Sequence, residues 1–131
     1  MKTATCVLAF ICSIGWGSDL YAKRSAPKEV PPVSHEGVRY QVIHFEYKNG
    51  HQNGGYVEAV TENDGKKKWG ILLYLVEYDP HLERDVQDCF ITSLRLDKKK
   101  NRLIATNEAG DLYYVDLTTQ EVIHVIPPRR R

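Results

Sequence analysis

Three histidines in one short stretch, His35, His44 and His51, are the residues whose type and spacing most invite a chemical reading. Glu36 and Glu46 stand close to them in sequence. Imidazole and carboxylate together suit zinc or copper, so a metal site built from His35, His44 and His51 is the sharpest chemistry on offer. Such a site needs three or four donors converging within about 2.0–2.2 Å of one ion. The spacing is neither His-Glu-x-x-His nor Cys-x-x-Cys, and solvated surface histidines are the plain alternative. A second cluster, Glu77, Asp79, Glu83, Asp85 and Asp88, offers oxygen donors to calcium. It lacks the alternating acids and central glycine of an EF-hand loop, so a solvated acidic loop that draws a basic partner fits it better. Cys89 has no flanking histidine to serve as base and sits beside apolar residues, which suits a buried free thiol. No nucleophile elbow, phosphate loop or dinucleotide fingerprint appears. The chain is therefore expected to be no enzyme and to carry no cofactor.

The elements that must hold these residues read as strands. Val38 to Tyr47 is rich in β-branched and aromatic residues. Lys48 to Gly55 follows as a loop with two Asn-Gly steps, which tolerate positive φ. Tyr56 to Thr61 is a second strand, and Asn63-Asp64-Gly65 marks a hairpin. Trp69 to Tyr78 is apolar on both alternating faces, the pattern of a central strand covered on both sides. His81 to Asp88 reads as one helical turn or an irregular excursion. Phe90 to Leu96, Arg102 to Thr106, Asp111 to Leu117 and Glu121 to Ile126 complete about seven strands. Strands at such spacing predict an all-β protein: a small antiparallel meander or two-sheet domain over residues 36–126.

The flanks differ in kind. Met1-Lys2, the apolar run Thr3 to Gly17 and Leu20-Tyr21-Ala22 follow the three-part pattern of a secretory signal over residues 1–22, helical before removal. The cut would follow Ala22 or Gly17, and an uncleaved anchor or a buried N-terminal helix is the alternative. The run is too short to span a bilayer, which needs about 20 apolar residues. Removal takes Cys6 and Cys12 and leaves Cys89 alone, without an internal disulfide partner. Residues 23–35 carry Pro27, Pro31 and Pro32 and read as a linker, and 127–131 as a basic tail. A formal net charge of +1 sets up no global field toward nucleic acid or anionic lipid. The expected partner is a protein, in a secreted or periplasmic setting, with self-association open to it and no membrane span once the signal is gone.

Two segments echo each other. Ala59-Val60-Thr61-Glu62-Asn63-Asp64-Gly65-Lys66-Lys67-Lys68-Trp69 and Tyr114-Val115-Asp116-Leu117-Thr118-Thr119-Gln120-Glu121-Val122-Ile123-His124 each join two strands in one frame. Both resemble the outer hairpin of blades in quinoprotein-type (PQQ-like) β-propeller repeats. Ala59, Gly65, Lys66 and Trp69 match that pattern in the first copy, and Asp116, Thr119 and Val122 in the second. Leu103 to Tyr113 is similar to the inner strands of such a blade. The departures are Thr61 for aspartate, Gln120 for glycine and His124 for tryptophan. Two blades cannot close a propeller, which takes at least about four. The resemblance therefore implies either a small two-sheet domain of blade-like hairpins or a fragment that assembles with copies of itself. No residue matches the family's quinone site, so that cofactor is not implied.

Two functional readings follow. The first is an exported, non-catalytic β domain that serves protein interaction or envelope assembly. The alternative is a periplasmic metal-binding accessory that uses His35, His44 and His51.

Overall fold

A computed structural model describes residues 24–45 and 52–126 of the chain. The 1–22 signal segment, His51 and the 127–131 tail lie outside the described residues.

The protein is all-β. Strands β1 (Val33–His35), β2 (Val38–Phe45), β3 (Asn53–Thr61) and β4 (Lys67–Leu72) form one antiparallel sheet in sequence order, here sheet 1. Strands β5 (Ile91–Asp97), β6 (Arg102–Asn107), β7 (Leu112–Asp116) and β8 (Val122–Val125) form sheet 2 in the same way. One helical turn, α1 (Arg84–Gln87), lies on the connection between them. Apart from the β2–β3 connection, most of which lies outside the described residues, neighbours along the chain within a sheet are joined by short reversals. The first uses Glu36 and Gly37, both at positive φ, the geometry that matches the twist of paired strands.

Two expectations need correction. Strand pairing begins earlier than residue 36: Val33–His35 of the proline-rich segment pairs with β2, so the described residues hold eight strands where about seven were expected. Proline removes its own donor but leaves those of Val33, Ser34 and His35 free to pair. The stretch from Trp69 to Tyr78 is not a central strand. Its first part lies in β4 at the edge of sheet 1, and from Leu73 the chain leaves the sheet to reach sheet 2. Leu75 is 80% exposed on that path. Continuous apolarity there reflects a segment that touches the two sheets in turn, not one covered on both faces.

The two outer hairpins share one turn geometry. The Thr61 N–H donates to the Lys66 carbonyl and the Gly65 N–H to the Thr61 carbonyl; the Asp116 and Gln120 N–H groups make the matching bonds to Glu121 and Asp116. Gln120 takes φ +58, close to the +68 of Gly65, so the departure from glycine leaves the turn intact. A difference appears one step on. A bulge at Lys68 places Trp69 opposite Ala59, and β8 has no such bulge. Ile123 rather than His124 therefore stands where Trp69 stands, opposite Tyr114.

The core lies between the sheets. Val57, Ala59 and Tyr40 of sheet 1 pack with Leu94, Leu103, Ala105, Tyr113 and Val115 of sheet 2. The outer-hairpin frame makes Leu112 and Tyr114 the counterparts of Val57 and Ala59, and Glu58 and Val60 the counterparts of Tyr113 and Val115. The face of sheet 1 turned inward thus corresponds to the face of sheet 2 turned outward. The sheets stack head to tail, and each open end of the stack presents the counterpart of a face used inside it.

Candidate functional site

Of the predicted histidines, the two among the described residues, His35 and His44, are not drawn together. His35 ends β1 opposite Val38, with Nε2 3.7 Å from Glu36 Oε1. His44 stands near the far end of β2, about 20 Å away at ~3.3 Å per residue. Its Nε2 lies 2.8 Å from the Lys28 carbonyl, and its ring meets Phe90 edge-on at 5.3 Å. No group of three His, Cys, Asp or Glu side chains among the described residues could hold a metal ion.

The acidic stretch is largely folded on itself. Gln87 reaches from α1 to the carbonyls of Asp79, Leu82 and Glu83 and accepts from the Asp79 N–H at 2.6 Å. Asp88 is 6% exposed and turned inward. It accepts from the Tyr78 hydroxyl at 2.5 Å and from Asn53 Nδ2 at 3.2 Å. Arg84 stacks on the same Tyr78 ring at 4.2 Å. Burial, followed by the Asp88 hydrogen bond, pushes the Tyr78 phenol above its ordinary range.

The sequence read Asp88 as one acid of a loop open to calcium or a basic partner, yet around it the two sheets are joined. Gln52 imitates a strand neighbour for the departing chain: its Nε2 donates to the Tyr74 carbonyl at 3.0 Å and its Oε1 accepts from the Val76 N–H at 2.8 Å. The Tyr74 hydroxyl donates to the Cys89 carbonyl at 2.6 Å, and its ring lies 5.1 Å from Tyr113. Burial drives the Tyr74 phenol far up, so it stays protonated. Gly54, at φ +81, lies so close to this joint that a Cβ would fall 2.4 Å from the Cys89 carbonyl oxygen. Arg24 closes the other side by bonding the Asp88 carbonyl and Glu108 while covering Phe90. The cleft beside it, about 460 Å³, is lined by Arg24, Pro27, Phe90, Ile91 and Glu108. Its cation and its carboxylate already neutralise each other. The Asn-Gly-Gly run was the one sequence signal for this joint, and it marked only a turn.

The outward faces of the sheets differ, though that of sheet 1 sets Arg39, Gln41 and Glu58 among Ile43 and the buried Tyr56 and Val60. On sheet 1, Arg39 Nε donates to Gln41 Oε1 at 3.3 Å, and Gln41 Nε2 donates to Glu58 Oε1 at 2.6 Å. Lys67 Nζ donates to the Tyr56 hydroxyl at 2.5 Å, and the Tyr56 ring lies over Gly70. On sheet 2 the outward side chains run in rows across the strands. One row is charged: Asp97, Arg102 and Asp116. The next holds Arg95, Ile104, Tyr114 and Ile123, followed by Leu112 beside Val125. None of these apolar side chains packs into the core cluster, and Ile123 is 58% exposed. Arg102 lies on the Tyr114 ring at 3.7 Å while pairing with Asp97 at 3.2 Å.

Compared with protein-family models and with curated proteins, the chain shows no match. Among the described residues no helix is long and apolar enough to cross a membrane.

Proposed function

We propose that this protein is an exported, non-catalytic β domain that binds protein through the outward face of sheet 2. One observation carries the reading. The side chains on that face, Ile104, Leu112, Tyr114, Ile123 and Val125, correspond to those with which sheet 1 receives another sheet inside the molecule. The partner that suits such a face is a second antiparallel sheet with small and branched apolar side chains, the composition that Leu103, Ala105 and Val115 offer on the inside.

Several observations favour a binding role over a catalytic one. The groups most displaced from their ordinary protonation are tyrosines locked into the joint and core rather than a base facing a cleft. The cleft beside Arg24 holds a satisfied ion pair. The repeated turn and strand order support kinship with quinoprotein-type propeller blades used as a scaffold, without the quinone. Export rests on the leader pattern of residues 1–22 and leaves a secreted or periplasmic product.

The test is a photo-crosslinking amino acid at position 123, compared with the same probe at position 58, in cells that export the protein. Protein adducts from 123 and none from 58 are expected. Absence of adducts at 123 overturns the binding reading, and an uncut amino terminus on cytosolic protein overturns export.

A further inference from the structure

Arg24 reaches the joint on a segment that has few other ties. Residues 24–32 precede β1 and form no strand. Among the described residues, none of their backbone groups is hydrogen-bonded to backbone. Pro27, Pro31 and Pro32 lack the donor altogether. Ser25, Ala26, Lys28 and Glu29 are exposed. The Lys28 carbonyl meets His44 Nε2 at 2.8 Å, and Val30 packs against the core.

The surface that receives Arg24 is fixed without that segment. The Glu108 carboxylate accepts from the Phe90 N–H at 3.3 Å, and the Glu108 N–H donates to the Phe90 carbonyl at 3.0 Å. Asp88 is anchored through its side chain by Tyr78 and Asn53, which leaves its carbonyl for another donor. Phe90 meets His44 at 5.3 Å and Phe45 at 5.7 Å, both edge-on, and turns its face to Arg24 at 4.6 Å. A carboxylate, a carbonyl and an aromatic face at one point suit a planar guanidinium better than an ammonium.

Arg24 fills this surface incompletely. Its Nε is buried without a hydrogen-bond partner, a cost that an arginine arriving along another path need not carry. The cleft of about 460 Å³ beside it extends along Phe90, Ile91 and Thr92. A second space of about 140 Å³ lies toward Phe45 and Asn53.

We infer that Phe90, Glu108 and the Asp88 carbonyl form an arginine-binding site, plugged by Arg24 in the free protein and open to an arginine on an extended segment of a partner protein. Removing the plug breaks no strand pairing, so the exchange leaves both sheets in place. A tethered arginine competes as if present at roughly millimolar concentration, so the plug admits only a segment that gains further contacts in the cleft. The site is separate from the outward face of sheet 2, and each stands or falls without the other.

The plug itself, as the free peptide acetyl-Arg-Ser-Ala-Pro-Lys-amide, is the probe. It is titrated against the purified full chain carrying Arg24→Ala and followed by the amide NMR signals of Phe90 and Glu108. Saturable shifts at both residues are expected. The unaltered chain should bind at least about tenfold more weakly, because its own Arg24 competes. A peptide with citrulline in place of arginine keeps the shape without the charge and should not bind; one with lysine should bind more weakly than the arginine peptide. Arginine amide alone should also bind more weakly, since it leaves the cleft unfilled. Glu108→Gln added to Arg24→Ala should weaken the peptide at least about tenfold. Arg24→Lys keeps a cation over Phe90 and is the second variant, expected to bind between Arg24→Ala and the unaltered chain. No saturable shift in either variant overturns the site. Equal binding of the citrulline peptide overturns guanidinium recognition, equal binding by the unaltered chain overturns the plug, and equal binding of arginine amide overturns the extended segment as ligand.

Discussion

Sheet 1 and sheet 2 share strand order, hairpin direction and the bonds of the outer turn, and they differ in what they show to solvent. Sheet 1 ends the stack with a hydrogen-bonded polar row, Arg39, Gln41 and Glu58, set among Ile43 and the buried Tyr56 and Val60. Sheet 2 ends it with Leu112, Tyr114, Ile123 and Val125. The contrast separates two jobs that a repeated unit must otherwise combine. A face that receives a neighbour has to be flat and apolar; a face that terminates an array has to be costly to bury. The same backbone serves both because a one-residue alternation decides which side chains turn inward.

The comparison can be broken most sharply at the joint. Gly54→Ala sets a methyl against the Cys89 carbonyl and adds left-handed strain, and should cost about 3 kcal/mol or more by urea unfolding. Gly110→Ala has the same sign of φ with open space around it and should cost about 1 kcal/mol. Equal losses would mean that the contact at the joint is not what holds the sheets together. Next come neighbours on opposite faces of β6. Leu103→Ala opens a cavity in the core and should cost about 3 kcal/mol. Ile104→Ala should cost under about 1 kcal/mol in dilute protein. A large loss at Ile104 would place that face in the monomer's own core.

Alkaline pH probes both sheets and the joint at once. Burial raises the phenols of Tyr40, Tyr74, Tyr78 and Tyr113 above their unfolded values. Above roughly pH 10 the unfolded chain releases these protons while the folded one keeps them. Stability should therefore be level up to that point and fall as pH rises beyond it, and Tyr74→Phe should flatten the fall. Ultraviolet titration in which all tyrosines ionise at ordinary pH before unfolding would contradict this. A smaller effect belongs to the turns: Gln120→Gly relieves a left-handed glutamine and should stabilise by roughly 0.5–1 kcal/mol, whereas Gly65→Gln should destabilise by a like amount. The smallest concerns Asp116, whose carboxylate is held below its usual range by the Thr119 and Thr118 N–H groups. That contribution is present at neutral pH and is lost as pH falls through the lowered value, so Asp116→Asn should blunt the acid end of the stability profile.

Much of the architecture was legible along the chain. Alternation in Arg102 to Thr106 and in Asp111 to Leu117, and the turn residues between them, placed β6 and β7 within a residue or two of where they lie. Short-range pattern suffices there because pairing partners are adjacent in sequence. The path from Leu73 to Tyr78 misled, because an apolar run looks alike whether two faces are covered at one place or two surfaces are touched in succession. The joint around Asp88 was illegible for a related reason. Gln52, Asn53, Tyr78, Asp88 and Arg24 converge from separate segments, and none is unusual beside its own neighbours.

Local alternation and turn chemistry by themselves determined that this chain forms antiparallel strands, and that two of its hairpins repeat one turn. Only the tertiary structure decided that the sheets stack head to tail, that His35 and His44 stand apart, and that Ile104, Tyr114 and Ile123 face away from the core. The period-two pattern divides each strand into two faces but is indifferent to which of them another sheet will cover; that choice is made by long-range packing, where the connection through Tyr74, Asp88 and Gly54 sets the position of one sheet on the other.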